Sequence, residues 1–189
     1  MSQKNKEIIW LARAGQGAKT SSLLFALSAL SEGYFVQAFP EYGPERYGAP
    51  MKVYNRFGNK FIRARTAIQN PDIIIVLDSS LLISQINEFK KVPIFLINSS
   101  KEPNFFKKKY NLSGKVFTLD ATDLSLKYFK NPIPSIVMLG ALFGLLNFDL
   151  KTVLPEIKKK LSEKTDKKIV EANLKIVKDA RTLLKGNKF

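Results

Sequence analysis

Residues 7–20 read EIIWLARAGQGAKT, and this stretch decides the fold. The nearly continuous apolar run Glu7–Ala12 is typical of a buried strand, and the glycine turn behind it leads into a helical pattern that extends from Ala18 to Leu30. Strand, glycine turn and helix form the opening of a βαβ unit, for which the apolar run Tyr34–Phe39 supplies the second strand. The stretch therefore predicts an α/β fold.

Three later runs extend the predicted sheet. Ile73–Leu77 is the most continuously β-branched run of the chain, which fits the centre of a parallel sheet covered on both faces. Pro93–Asn98 and Lys115–Leu119 follow as further strands. Leu81–Lys90 predicts a short helix between the first two, and the lysine-containing segment 101–115 is expected to be exposed.

An antiparallel element is also predicted. Met51–Arg56 and Phe61–Arg65 alternate apolar and polar residues, and Phe57–Lys60 between them has the composition of a hairpin turn. The predicted fold class is therefore α/β, as a single Rossmann-like domain with a mixed, mainly parallel sheet, a β-hairpin insertion and a helical C-terminal extension.

The C-terminal third is predicted to be helical. Ser135–Phe148 is the longest apolar stretch, yet it is shorter than the roughly 20 residues that span a bilayer, so a buried core helix is expected. We assign residues 1–150 to the α/β domain and 151–189 to basic helices packed on it. The N-terminus has no secretory signal pattern, so a cytoplasmic protein is expected.

Composition restricts the chemistry. The 189 residues include no cysteine and no histidine. Thiolates and imidazoles supply most zinc sites and nearly all iron–sulfur ligation, and imidazole supplies most acid–base catalysis near neutral pH. Disulfides, cysteine nucleophiles and serine–histidine triads are therefore excluded, and no metal site is expected. If the protein takes part in redox chemistry, its partners must carry the reactive centres.

The net charge of +15 has two interpretations. Residues 151–189 carry 12 basic and 5 acidic residues, but the lysines alternate with apolar residues at helical spacing. That spacing favours a solvated or partner-facing helix surface. A nucleic-acid-binding module is the weaker alternative, because zinc-finger ligands and an aromatic-rich basic strand are both missing.

The glycine turn is a candidate phosphate site. Backbone N–H groups at a helix start bind phosphates, and the candidate residues are Gly15, Gln16, Gly17, Lys19 and Thr20. The segment lacks the third glycine of the dinucleotide fingerprint and the spacing of a P-loop. A second interpretation stays open, in which the glycines only permit close packing of a tight turn.

Several segments, in order along nearly the whole chain, resemble the gamma subunits of 2-oxoacid:ferredoxin oxidoreductases, in the pyruvate and 2-oxoisovalerate group. They include the long glycine- and proline-rich loop after the second predicted strand, and two positions depart from the family pattern, Ala18 and Tyr47. The segments are Arg13–Gly17, Val36–Pro50, Pro71–Asp78, Asp120–Asp123, Asn131–Ala141 and Asn173.

The resemblance implies a noncatalytic subunit of an enzyme that converts a 2-oxoacid and coenzyme A to acyl-CoA with electrons passing to ferredoxin. Thiamine diphosphate, Mg and [4Fe-4S] clusters would lie in other subunits, and the partners would be the alpha, beta and delta subunits. The wording of the loop resembles pyruvate-type subunits. Coenzyme A would be met at the glycine turn, where its phosphates suit nearby basic side chains such as Arg13 and Lys19.

The glycine- and proline-rich loop is the predicted subunit interface. Its stiff backbone and aromatic side chains offer contact area with little entropy to lose. Self-packing of the loop is the alternative. A stand-alone nucleotide- or phosphate-binding α/β protein is the competing function. The predicted interface residues are Phe39, Pro40, Glu41, Tyr42, Gly43, Pro44, Glu45, Arg46, Tyr47 and Gly48.

Overall fold

Six strands form one mixed sheet in the computed structural model, which describes residues 5–41, 47–89 and 91–186. The order across the sheet is β2-β3-β1-β4-β5-β6. The pairs β1–β4, β4–β5 and β5–β6 are parallel, and β3 is antiparallel to both β1 and β2, which confirms the prediction of a mixed, mainly parallel sheet. The strands are β1 (Lys6–Arg13), β2 (Phe35–Pro40), β3 (Pro50–Gly58), β4 (Ile73–Val76), β5 (Ile94–Asn98) and β6 (Lys115–Leu119).

The helices cover both faces of this sheet. Helix α1 follows the glycine turn and leads to β2, which is parallel to β1 with β3 inserted between them, so the predicted βαβ unit is present with an interposed strand. A 3₁₀ turn, Ser79–Leu81, precedes α2. The α-helices are α1 (Ala18–Ser31), α2 (Leu82–Phe89), α3 (Pro103–Tyr110), α4 (Ala121–Leu126), α5 (Pro134–Leu146), α6 (Leu150–Ser162) and α7 (Lys167–Leu184).

The hairpin predicted over 51–65 is wrong in its second strand. Residues 61–65 form no strand, because β3 is already paired with β1 on one side and β2 on the other. The antiparallel partner that is adjacent to β3 in the sequence is the preceding strand, β2. The polar residues of the alternating pattern are also not solvent-facing: Asn55 is fully buried and Arg56 is 3% exposed.

The segment 101–115 holds a helix that the sequence analysis did not predict. Pro103 starts α3, a position that needs no backbone N–H, and Phe106 is buried below the sheet while the lysines face outward. With a single fully buried side chain, the helical periodicity is too weak to stand out in the sequence.

The core lies on the two faces of the sheet. On one face α1, α5, α6 and α7 share a cluster with Ile8, Trp10 and Phe57, and on the other α2 and α3 pack on Ile9, Ile74 and Phe95. The predicted core helix is confirmed, since α5 is buried along nearly its whole length between the sheet and α7. Among the described residues no helix is both long and apolar enough to cross a membrane.

A buried polar network ties α1 to the sheet. Trp10 Nε1 donates to Asn55 Oδ1 at 2.8 Å, and Asn55 Nδ2 donates to the Ser22 carbonyl of α1 at 3.1 Å. Because buried amide and indole groups are expensive to leave without partners, these bonds fix α1 relative to β1 and β3. The network thereby holds in place the helix whose first turn follows the glycine turn.

Candidate functional site

The candidate site lies at the carboxyl ends of β1 and β4. These neighbouring parallel strands continue in opposite directions, because β1 leads to α1 and β2 on one side while β4 leads to α2 and β5 on the other. Such a switch point opens a crevice where ligands bind in doubly wound folds. Arg13 closes β1 and Asp78 follows β4, so both side chains stand at this position.

The glycine turn has a backbone that explains its glycines. Gly15 and Gly17 have φ values of 97° and 83°, which L-residues with a side chain seldom adopt. The turn is closed by Gln16, whose backbone N–H donates to the Arg13 carbonyl at 3.1 Å and whose Oε1 accepts from the Arg13 N–H at 2.8 Å. Gln16, a predicted ligand residue, thus uses its side-chain oxygen to hold the turn.

Arg13 joins three segments of the chain. Its Nε lies 2.6 Å from Asp78 Oδ2, and its two terminal nitrogens donate to the Gly48 carbonyl at 3.1 Å and to Ser80 Oγ at 3.0 Å. We call Arg13, Asp78, Ser80 and Gly48 the arginine bracket. The Arg13 guanidinium thus connects the end of β1 to the residues that follow β4 and to the end of the loop.

Asp78 is kept ionised by the arginine bracket. Burial raises the pKa of this carboxyl, but the hydrogen bonds from Ser80 and Arg13, together with the charge of Arg13, lower it further than burial raises it. The net direction is a pKa below the usual range. The carboxylate is therefore a permanent anchor at neutral pH, and it also caps the 3₁₀ turn by accepting from the Ser80 N–H at 2.9 Å.

The end of the glycine- and proline-rich loop packs directly on the glycine turn. Ala14 and the loop exchange two backbone hydrogen bonds, from the Ala14 N–H to the Ala49 carbonyl at 2.9 Å and from the Gly48 N–H to the Ala14 carbonyl at 3.1 Å. A Cβ on Gly15 would lie 2.6 Å from Cε2 of the Tyr47 ring. Two features that the sequence predicted separately, a ligand turn and an interface loop, therefore form one surface.

The second glycine packs against the start of α5. A Cβ on Gly17 would lie 2.5 Å from Oγ of Ser135, which is 2% exposed. Helices α1 and α5 thus begin side by side, and neither has a side-chain cap. Gly15 and Gly17 both contact side chains of their own chain, as the close-packing interpretation expects. Lys19 and Thr20 are exposed in the first turn of α1.

Phe39, Pro40 and Glu41 also contact their own chain. Pro40 pairs with Val53 of β3, and the Phe39 ring lies 5.1 Å from that of Tyr54. The Tyr54 hydroxyl donates to Glu41 Oε2 at 2.7 Å, and burial followed by this carboxylate raises the tyrosine pKa above its usual range. Tyr47, by contrast, is 94% exposed. The other predicted interface residues, Tyr42, Gly43, Pro44, Glu45 and Arg46, lie outside the described residues.

Asn98 is a site residue that the sequence analysis missed. It ends β5, donates through Nδ2 to the Leu77 carbonyl and to Thr122 Oγ1, both at 3.0 Å, and accepts from the Ala121 N–H at 2.9 Å. The signal was present in the sequence, since Asn98 ends a predicted strand and Asp78 and Asp120 each follow one. Parallel strands bring such residues to one edge of the sheet.

A family model and relatives of known name match most of the length of the chain. The family model for pyruvate ferredoxin/flavodoxin oxidoreductase matches residues 7–183. Pyruvate synthase subunit PorC of Thermotoga maritima is 42% identical over 175 residues, covering 92% of this chain and 91% of the relative. The pyruvate/ketoisovalerate oxidoreductases common subunit gamma of Thermococcus kodakarensis is 38% identical over 138 residues, covering 71% of this chain and 75% of the relative.

Solved structures give the same picture of the fold. The crystal structure of pyruvate oxidoreductase subunit PORC from Thermotoga maritima matches with a TM-score of 0.81 at 37% identity and covers 95% of this chain and 97% of that chain. The 2-oxoglutarate:ferredoxin oxidoreductase from Magnetococcus marinus matches with a TM-score of 0.78 at 17% identity, over 97% of this chain but 31% of that chain. The same fold thus occurs both as a separate chain and as part of a longer one.

Proposed function

The chain belongs to the pyruvate ferredoxin/flavodoxin oxidoreductase family, and from that premise we propose that it is the gamma-type subunit of a multi-subunit pyruvate:ferredoxin oxidoreductase. The observation that carries the proposal is the end-to-end similarity to a pyruvate synthase subunit in both sequence and fold. The alternative of a stand-alone nucleotide- or phosphate-binding protein is not favoured, because the relatives are subunits of oxidoreductases.

Within the enzyme, the subunit has a structural rather than a catalytic role. The whole reaction joins a 2-oxoacid to coenzyme A, releases carbon dioxide and passes two electrons to ferredoxin. The sequence offers no cysteine thiolate for an iron–sulfur cluster. Within 5–41, 47–89 and 91–186, no group of three His, Cys, Asp or Glu side chains is arranged to hold a metal ion.

We therefore assign the reactive groups to other subunits. In this proposal thiamine diphosphate, Mg and [4Fe-4S] clusters are held by alpha, beta and delta subunits, and ferredoxin is reached through the assembled complex. The surface formed by Tyr47 and the glycine turn supports an interface role, because the exposed ring lies next to a turn held rigidly by the arginine bracket. A cytoplasmic location is part of the same proposal.

Coenzyme A contact at Gly15, Gln16, Gly17, Lys19 and Thr20 is the finer part of the proposal. Three features support it: α1 starts without a side-chain cap, its first turn exposes Lys19 and Thr20, and the turn stands at the switch point of the sheet. The first N–H groups of an uncapped helix and a lysine suit phosphate oxygens. Tyr47 and Ser135, which pack on Gly15 and Gly17, lie next to this proposed contact.

Purification of the complex tests the assembly. The tagged chain, expressed in its native organism, is expected to bring down subunits with iron–sulfur absorbance and thiamine-dependent pyruvate oxidation. Fractionation of the native cells tests the location. A chain that purifies alone from such cells would contradict the proposal.

Kinetics on that complex tests the coenzyme A contact. Lys19→Ala is expected to raise the KM for coenzyme A several-fold with little change in the KM for pyruvate. Lys168→Ala, a lysine on the exposed side of α7, serves as the matched control. An unchanged KM for coenzyme A would remove Lys19 from the site while leaving the assembly proposal intact.

A further inference from the structure

The outward side of α1 is apolar where a surface helix is usually polar. Leu23 is 42% exposed, Leu30 is 59% exposed and Leu27 is half-buried. At 100° per residue these positions fall within an arc of about 60°, so they form one line along the helix. We call Leu23, Leu27 and Leu30 the leucine face.

Beyond Lys19 in its first turn, α1 carries no charge, although the chain is rich in charged residues. No charged residue occurs between Lys19 and Glu32, in a chain with 31 basic and 16 acidic residues. The opposite side of α1 is already used, since Leu24, Phe25 and Ala29 are fully buried in the core. After Lys19, the outward side of α1 is exposed, apolar and uncharged, and a surface of this kind is typical of a protein contact.

Other exposed apolar side chains do not line up in this way. Ile83 stands alone on α2, and Ile169 and Leu183 lie at opposite ends of α7. Phe35 and Phe61 are exposed as a pair with ring centroids 6.0 Å apart, but they lie on β2 and on the segment after β3 and form no line along a helix. Single exposed apolar residues are ordinary on protein surfaces. The leucine face is different because three large apolar side chains repeat at the i, i+4, i+7 spacing of a helix–helix contact.

The size of the leucine face indicates what covers it. A standard-size interface takes about 800 Å² and roughly 20–30 residues from each partner, far more than three leucines supply. A symmetric pair of α1 helices would therefore be too small to hold two copies together. A larger partner would also reach the glycine turn and the exposed Tyr47 ring that lies on it, at the N-terminal end of the same helix.

We infer that the leucine face is the apolar centre of a contact with another subunit of the oxidoreductase, which presents an uncharged apolar surface to α1. This inference rests on the proposed function and adds the surface through which the assembly forms. The exposed start of α1 and Tyr47 form the polar and aromatic border of the same contact. The lysines of α7 lie outside it.

A pair of matched double variants tests the inference in the co-expressed complex. Leu23→Lys/Leu30→Lys changes the leucine face, and Ile169→Lys/Leu183→Lys makes the same chemical change with the same added charge at exposed positions of α7. We expect the first variant to recover at least tenfold less of the other subunits per tagged chain, and the control to remain within twofold of wild type. Leu23→Gln/Leu30→Gln, which adds no charge, is expected to give a similar loss.

The outcomes separate the inference from the proposed function. Thermal unfolding of each purified chain shows whether it folds, and we expect midpoints close to wild type because the changed side chains are exposed. If wild type assembles and both leucine-face variants assemble equally well, the inference is overturned alone. If the isolated chain forms a dimer that Leu23→Lys/Leu30→Lys dissociates while the complex is unaffected, the occupant is a second copy and the inference is again overturned. If wild type recovers no other subunit, both proposals fail.

Discussion

Helices α1 and α7 contribute to the same core cluster but present opposite chemistry outward. Inward, Phe25 of α1 and Val177 of α7 are both fully buried. Outward, α7 exposes Lys168, Lys175 and Lys178, which we call the lysine face, whereas α1 exposes the leucine face. On α7 the apolar residues repeat on one side only, so their periodicity identifies the side that faces the core. On α1 both sides carry apolar residues, so periodicity cannot distinguish the side that faces the core from the leucine face.

The two helices are also anchored by different means. Asp166 caps the start of α7, because its carboxylate accepts from the Ile169 N–H at 3.0 Å. The helix packs closely on α5, where a Cβ on Gly140 would lie 2.7 Å from the Val177 carbonyl. Helix α1 follows Gly17 and has no side-chain cap. Its position depends instead on the arginine bracket in front of it and on Asn55 beneath it. The contacts around α1 thus fix where the helix lies, whereas α7 is stabilised by its own cap.

The largest expected effect comes from the inward side of α1. Phe25 packs against Phe57, Phe143 and Phe148 at ring distances of 5.2, 6.2 and 5.8 Å. Phe25→Ala is expected to lower the free energy of unfolding by about 3–5 kcal/mol, because it leaves a cavity in a fully buried site. Urea unfolding followed by the fluorescence of Trp10, the single tryptophan, measures this. Leu23→Ala, on the leucine face of the same helix, is the control and should change it by less than about 0.5 kcal/mol. Equal losses would show that the leucine face is part of the core.

A smaller loss is expected when the polar anchor of α1 is removed. Asn55→Ala leaves the Trp10 Nε1–H buried without its acceptor and frees the Ser22 carbonyl, which should cost about 1–3 kcal/mol. The same urea experiment measures it, with the exposed Asn131→Ala as the control. A loss no larger than that of the control would mean that α1 is held by apolar packing alone.

The arginine bracket predicts a pH dependence. Because the pKa of Asp78 is lower in the folded chain than the usual value near 4, ionised Asp78 stabilises the fold at higher pH. That contribution is lost as the pH falls below about 4 and through the folded-state pKa. Unfolding midpoints between about pH 6 and pH 2 should therefore fall less steeply for Asp78→Asn than for wild type. Glu171→Gln, on exposed α7 with its carboxylate 4.0 Å from Lys167, should retain the wild-type slope. Parallel slopes for wild type and Asp78→Asn would remove Asp78 as an anchor.

The smallest effect is expected on the lysine face. Lys168→Gln/Lys178→Gln should change the free energy of unfolding by less than about 0.5 kcal/mol and leave recovery of the other subunits unchanged, because both side chains are exposed. Purification at low and high salt measures the second quantity. A salt-dependent loss of partner subunits would show that α7 is an electrostatic contact surface. It would contradict the view that α1, and not α7, contacts a partner.

Much of the fold follows from local patterns. The run at 7–20 specifies strand, turn and helix, and the apolar stretch that became α5 is recognisable because it is hydrophobic on all sides yet too short for a membrane. The hairpin error has a non-local cause. Alternation in 51–65 shows which residues share a side, but the position of β3 between β2 and β1 depends on pairing with strands far away in sequence.

For the candidate site too, the sequence predicted the separate segments and the structure showed how they meet. The glycine turn and the loop were identified separately, and the structure places Tyr47 of the loop on Gly15 of the turn. Arg13, which the sequence places near a phosphate, forms hydrogen bonds with Asp78, Ser80 and Gly48 in the structure. These partners are 35 to 67 residues away along the chain, a distance at which no sequence spacing indicates a contact.

The sequence by itself determined which chemistry the chain cannot perform, because a chain without cysteine and histidine supplies no thiolate or imidazole. It also determined the strand–turn–helix opening and the buried α5. Only the tertiary structure decided that β3 lies between β2 and β1, that Arg13 pairs with Asp78, that Asn98 joins β5 to α4, and that three leucines of α1 remain on the surface. The physical reason is that local propensity and periodicity act over a few residues, whereas strand order, ion pairing and burial are set by groups that meet only when the whole sheet has formed.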